Sequence, residues 1–258
     1  MSYTNTSESG LESLIVKWLI EHNSYEQGHS HDFNVEYAVD TVRLFRFLKN
    51  TQPDAVKKLQ LETNPQKTAQ FLARVRDEIT KRGIVDVLRK GIKAYPASLI
   101  MFYMTPSVNN PAAAALYAKN IFSVTRQLHF SPDATKLSLD LCIFVNGLPV
   151  ITFELKNQLT KQNADDAVYQ YQHDRNPKEL LFQFTRCMVH FAVDDAQVKF
   201  CTRLQGKESW FLPFNKGYKD GAGNPPNPDG LMTDYLWKQI LTKDMLSRII
   251  ENLSLIHI

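Results

Sequence analysis

The chain has 258 residues, of which 43% are hydrophobic, 11% aromatic and 22% charged; this suits a protein with a buried core and excludes a disordered, collagenous or coiled-coil one. Thirty lysines and arginines against 27 acids leave +3, well short of the basic excess of a protein that lives on nucleic acid, so any basic surface must be local. No apolar run approaches the ~18–20 residues that cross a bilayer, and the polar start MSYTNTSESG is unlike a signal peptide, which points to a soluble, cytoplasmic protein.

In chain order, Leu11, Leu14, Ile15, Trp18 and Leu19 form one stripe over residues 11–22, which predicts an amphipathic helix with Glu12 near its first turn. His29 and His31 flank a serine without the Cys/His spacing of a zinc site and read as a solvated loop. The pattern stays helical from about 35 to 93, with Pro53-Asp54 and Pro65 as starts and Gly83 and Gly91 as stops. The period changes at ASLIMFYM (97–104), taken as the beginning of a sheet, and β-branched and aromatic residues dominate from 121 to 155. Residues 137–145 and 148–155 flank Asn146-Gly147, a strong hairpin signal. A helix is expected over 164–174, strands over 187–194 and 198–204, a long Gly/Pro-rich loop over 213–230 and a helix over 233–251. Cys142, Cys187 and Cys201 lie in apolar runs without a CxxC and are expected as buried free thiols. The final SLIHI has no cap, as in a chain cut from a longer polypeptide.

The informative stretch is LSLDLCIFVNGLPVITFELK, where Asp140 interrupts one apolar strand and Glu154 and Lys156 the next. Residues two apart on a strand share a face, so Glu154 and Lys156 point the same way. If the hairpin loop were only Asn146-Gly147, Asp140 would oppose Phe153 and the acids would face opposite sides. A three-residue loop, or an equivalent bulge, pairs Asp140 with Glu154, and this is the predicted arrangement. Two carboxylates and a backbone carbonyl, that of Leu155, then form an all-oxygen site for Mg²⁺. Such an ion activates water and neutralises charge on a phosphate, with Lys156 beside it, which suits phosphodiester hydrolysis. Spacing alone also allows a structural Asp beside a Glu/Lys pair on an exposed sheet face.

The segment Ser138–Lys156 resembles the PD…(D/E)xK nuclease motif as it occurs in the restriction (R) subunit of type I restriction-modification enzymes. DDAVYQYQHDR, CMVHFAVDD, TRLQGKESWFLPFNKG, GAGNPPNP and YLWKQIL resemble the N-terminal endonuclease region of that subunit, so the likeness covers roughly residues 8–250. It implies a mixed α/β, restriction-endonuclease-like core (about 97–205) with a central sheet flanked by helices, a helical insertion (about 30–95), and a loop and C-terminal helix (213–251) leading to a motor region beyond residue 258. It further implies that Asp140 and Glu154 hold Mg²⁺ and that Lys156 assists hydrolysis of double-stranded DNA. Asp140 follows Leu139 rather than a proline, and Pro132-Asp133 lies before the strand in a turn-like SPDAT, a decoy.

Such nucleases resemble one another in a QxxxY motif on the next helix. Gln170 fits its first position, whereas Asp174 stands four residues on and the tyrosine is Tyr171. Glu12 matches an acid of related folds that positions the metal through water, although an acid near a helix N-terminus is favourable in itself. Lys156, Lys161, Arg126, Arg175 and Arg186 are the candidates for phosphate contacts. Implied partners are the methyltransferase and specificity subunits, the latter reading sequence, with ATP and S-adenosylmethionine serving only the complete enzyme. Gly206-Lys207 lacks the spacing of a phosphate loop. The alternatives are another PD…(D/E)xK nuclease of repair or recombination, and a scaffold domain of the same complex that does not cut.

Overall fold

A computed structural model of the chain describes residues 8–157 and 161–252. Its elements are, in chain order, α1 (Glu8–Glu21), β1 (Glu26–Gly28), β2 (Phe33–Asn34), β3 (Val39–Asp40), α2 (Thr41–Thr51), α3 (Pro53–Lys58), α4 (Pro65–Arg82), α5 (Ile84–Lys90), β4 (Ile92–Ala94) and β5 (Ala97–Leu99). There follow α6 (Pro111–Tyr117), β6 (Phe122–His129), β7 (Ser138–Val145), β8 (Leu148–Leu155), α7 (Ala164–His173), β9 (Val189–Val193), β10 (Val198–Cys201), β11 (Leu212–Pro213), a π-helical turn (Leu236–Ile240) and α8 (Lys243–Asn252). Local chemistry sets several of these limits. Asn64 caps α4 by accepting from the Gln66 and Lys67 amides, with Pro65 inside the first turn, and Asn163 with Asp166 closes a capping box on α7.

Seven strands form one mixed sheet in the order β1-β6-β7-β8-β9-β10-β11. Pairing is parallel for β1/β6 and β8/β9 and antiparallel elsewhere. Both faces are covered, which explains why all eight residues of β8 are buried. One face carries Leu141, Ile143, Phe153, Leu155 and Phe191 in a large core shared with α1, the helices of 41–90 and α8. The other carries Cys142 and Phe144 against Tyr171 of α7 in a smaller core. The three cysteines are free and buried, and His29 and His31 are exposed. No helix among the described residues is long and apolar enough to cross a membrane.

Three expectations need correction. ASLIMFYM is a strand only over Ala97–Leu99, paired with β4 in a separate two-stranded sheet; the main sheet takes its edge strand from residues 26–28 instead. The segment 30–95 also contains the short pair β2/β3 and is not purely helical. The stretch 233–251 is divided between a π-helical turn and α8 rather than forming one helix.

The β7–β8 turn has φ of 52° at Asn146 and 81° at Gly147, the two left-handed residues of a two-residue hairpin loop. It is buried. A Cβ on Gly147 would lie 2.4 Å from the Asp40 carbonyl, and the Asp40 amide donates to the Gly147 carbonyl. The Asn146 side chain accepts from the Ile121 amide and donates to the Met101 carbonyl and to Asn120.

Candidate active site

The two-residue loop pairs Val145 with Leu148 and Phe144 with Pro149, the register that keeps the two acids apart. It does not persist. Ile143 pairs with Ile151, so Val150 is an extra residue, and Val150 and Ile151 turn into the same core as a bulge requires. Beyond it Cys142 pairs with Thr152 and Leu141 with Phe153, and the same register carried one residue on sets Asp140 level with Glu154. The bulge, not a longer loop, brings the acids together.

Asp140 stands where the β7/β8 pairing stops. The Lys156 amide donates to Val193 on the β9 side, so that of Leu155 points to the β7 side, where the Asp140 Oδ2 accepts it at 2.7 Å. The carbonyl of a strand residue points with its amide, so that of Leu155 also faces β7. Glu154 is wholly buried on the α7 face, its Oε1 accepting from Arg175 Nε at 2.6 Å while Oε2 has no hydrogen-bond partner among the described residues. Burial, and then the charge of Asp140, push the Glu154 carboxyl up to about 8 against the pull of Arg175 and Lys156. Arg175 also donates to the Ser138 carbonyl at 2.9 Å, so one guanidinium ties β8 to the start of β7. Lys156 is 8% exposed.

Glu12 approaches from α1. Arg126 Nε holds one of its oxygens, and Gln127 Nε2 donates to the other at 2.9 Å and reaches Asp140 Oδ1 at 3.5 Å. Glu12 therefore stands one carboxamide away from Asp140.

No group of three or more His, Cys, Asp or Glu side chains among the described residues is placed to hold a metal ion. The donor set nonetheless suits Mg²⁺, which takes one or two carboxylates and keeps several waters. Asp140, Glu154 and the Leu155 carbonyl offer oxygen only, and the buried, unpartnered Glu154 Oε2 is an acceptor with unmet demand.

The sequence profile of the family described as type I restriction enzyme R protein N terminus matches residues 5–209. The chain belongs to that family. No curated protein matches the chain. The mixed seven-stranded sheet flanked by helices is consistent with a restriction-endonuclease-like fold. The profile match stops short of GAGNPPNP and YLWKQIL.

Within this R-protein N-terminal region the other candidates are distributed unevenly. Tyr171 is buried, its hydroxyl 2.9 Å from Thr152 Oγ1, two residues before Glu154 on the same face. Gln170 is half-buried on α7, and its side chain makes no hydrogen bond to either acid among the described residues. Two proposed phosphate contacts are corrected. Arg175 is spent on Glu154, and Arg186, 1% exposed, donates to the Tyr37, Ala38 and Arg76 carbonyls and pins the β2–β3 segment and α4. Lys161 is exposed, and Pro132-Asp133 sits in an exposed bend ahead of β7.

Behind Glu154, His190 is fully buried with Nδ1 2.7 Å from Thr152 Oγ1, and burial pushes its pKa down to about 3. The unfolded chain takes up this proton near pH 6.5 and the folded one does not, so the contribution is complete above pH 6.5 and is lost as pH falls toward 3, at up to about 1.4 kcal/mol per pH unit. Urea unfolding at pH 7.5 and pH 5 should show His190→Gln losing less stability than the wild type across that interval; equal losses would refute the assignment.

Proposed function

We propose that this region is the endonuclease of a type I restriction enzyme, hydrolysing phosphodiester bonds of double-stranded DNA with Mg²⁺ held by Asp140, Glu154 and the Leu155 carbonyl. The observation that carries this reading is the buried Glu154, with a free Oε2, brought level with Asp140 by the bulge at Val150. When bound, Mg²⁺ supplies a Lewis acid that lowers the pKa of water and offsets charge on the phosphate.

The chain's own residues do the rest. Glu154 contributes a carboxylate fixed by Arg175 at one oxygen, and Asp140 one fixed by the Leu155 amide. Lys156 shares the Glu154 face and brings an ammonium to the place where the attacking water and the phosphate meet. Tyr171 sets Thr152 beneath Glu154 and acts on packing rather than on chemistry. Lys161 is left to meet backbone phosphates, a contact that carries no sequence information, whereas Arg126 is paired with Glu12. In this reading sequence is read by the specificity subunit, S-adenosylmethionine belongs to the methyltransferase subunit and ATP to a motor region of the same protein, all in the cytoplasm.

Mn²⁺ binding to the R protein, followed by electron paramagnetic resonance, tests the proposal. Asp140→Asn is expected to weaken it by at least about tenfold. Wild-type affinity in both Asp140→Asn and Glu154→Gln would overturn it.

A further inference from the structure

Gln127 belongs to β6, between Arg126 and Leu128, which pair with Leu141 and Leu139; that register places it opposite Asp140, and the ladder is interrupted there. Its backbone is left-handed, with φ of 46°, an unusual conformation for a residue with a Cβ and more so inside a strand. Strain of this kind persists only where the surroundings enforce it, and it gathers at functional sites.

The side chain shows what the conformation achieves. Its amide nitrogen donates to Glu12 Oε2 at 2.9 Å and reaches Asp140 Oδ1 at 3.5 Å, and its Oε1 accepts from Ser138 Oγ at 2.8 Å. A primary amide has two N–H donors and one carbonyl acceptor. Here one donor goes to each acid and the acceptor to a hydroxyl two residues before Asp140. The second Glu12 oxygen is held by Arg126, so consecutive residues of β6 grip both oxygens of one carboxylate.

We infer that Gln127 is a positioning residue of the metal site, its left-handed backbone turning a carboxamide between Glu12 and Asp140 so that the first helix and the acid-bearing strand keep a fixed separation. The inference rests on the reading of Asp140 as a metal ligand. An amide suits this place because a carboxylate would repel both neighbours and an ammonium would compete with the ion.

Gln127→Gly separates a structural role from a positioning one, because glycine relieves a positive φ while removing the whole side chain with its carboxamide. In the full-length R protein, metal-free melting at or above the wild-type temperature is expected, together with Mn²⁺ affinity lowered about tenfold. Gln127→Asn, which tolerates the same backbone but is one carbon shorter, should fall between the two. Melting of Gln127→Gly well below the wild type would overturn the inference, since the side chain would then serve the fold. Mn²⁺ affinity within about twofold of wild type, with Asp140→Asn measured alongside and impaired, would overturn it too and leave the metal site standing. If Asp140→Asn is unimpaired, Asp140 is not a ligand and this role falls with it; if Glu154→Gln is unimpaired as well, the metal site itself falls.

Discussion

Lys156→Ala, assembled into the complete restriction enzyme, is expected to lower DNA cleavage by at least about 10²–10³-fold while ATP-driven translocation continues at the wild-type rate. Lys156 leaves β8 directly after Leu155, with its amide fixed by the Val193 carbonyl, and only 8% of the residue is exposed. An ammonium held that firmly on the Glu154 face acts on charge that develops during reaction, so its loss falls on the chemical step. Plasmid linearisation reads cleavage, and displacement of a third strand downstream of the recognition site reads translocation. Cleavage at the wild-type rate would remove Lys156 from the chemistry and favour the scaffold alternative.

Arg175→Ala is expected to destabilise the protein by about 1–3 kcal/mol, the usual cost of leaving a buried carboxyl without its hydrogen-bond donor. The magnitude follows from what stays behind. Glu154 is 0% exposed and would keep a carboxyl with neither oxygen paired, and the Ser138 carbonyl would lose its donor. The guanidinium also packs 5.6 Å from the centre of the Phe130 ring, so packing is lost along with charge. Arg175→Lys should recover part of the stability through the Glu154 contact, and pairing Arg175→Met with Glu154→Gln should recover part of it through packing, with no ionisable group left at either position. Urea midpoints compare all four proteins. A loss below about 1 kcal/mol for Arg175→Ala would mean that water reaches Glu154 in solution.

The hairpin was legible because Asn-Gly is demanded by a turn with two left-handed residues, and the acids on either side of it were legible because charge interrupts apolar strands. The bulge left no such mark. LPVITFEL carries no charge before its seventh residue, so an extra Val150 breaks no charge pattern, and only the chemical need to join Asp140 and Glu154 pointed to it. β1 was missed because Glu26–Gly28 is short and its partner, β6, lies far along the chain. Arg175 and Arg186 were read as phosphate contacts because an arginine carries no sign in sequence of whether it ends in solvent or in the core. Gln127 was invisible for a related reason: TRQLH reads as an ordinary strand, and a backbone angle is not written in residue type.

The buried turn at Asn146-Gly147 makes the hairpin a ruler with a fixed zero. Because Gly147 is wedged against Asp40 and Asn146 is bonded to Ile121, Met101 and Asn120, neither strand can creep along the other to absorb a change in length. The interval from Asp140 to Glu154 is therefore a counted distance. A deletion as small as Val150 would leave the fold's outline intact, yet rotate one acid to the wrong side.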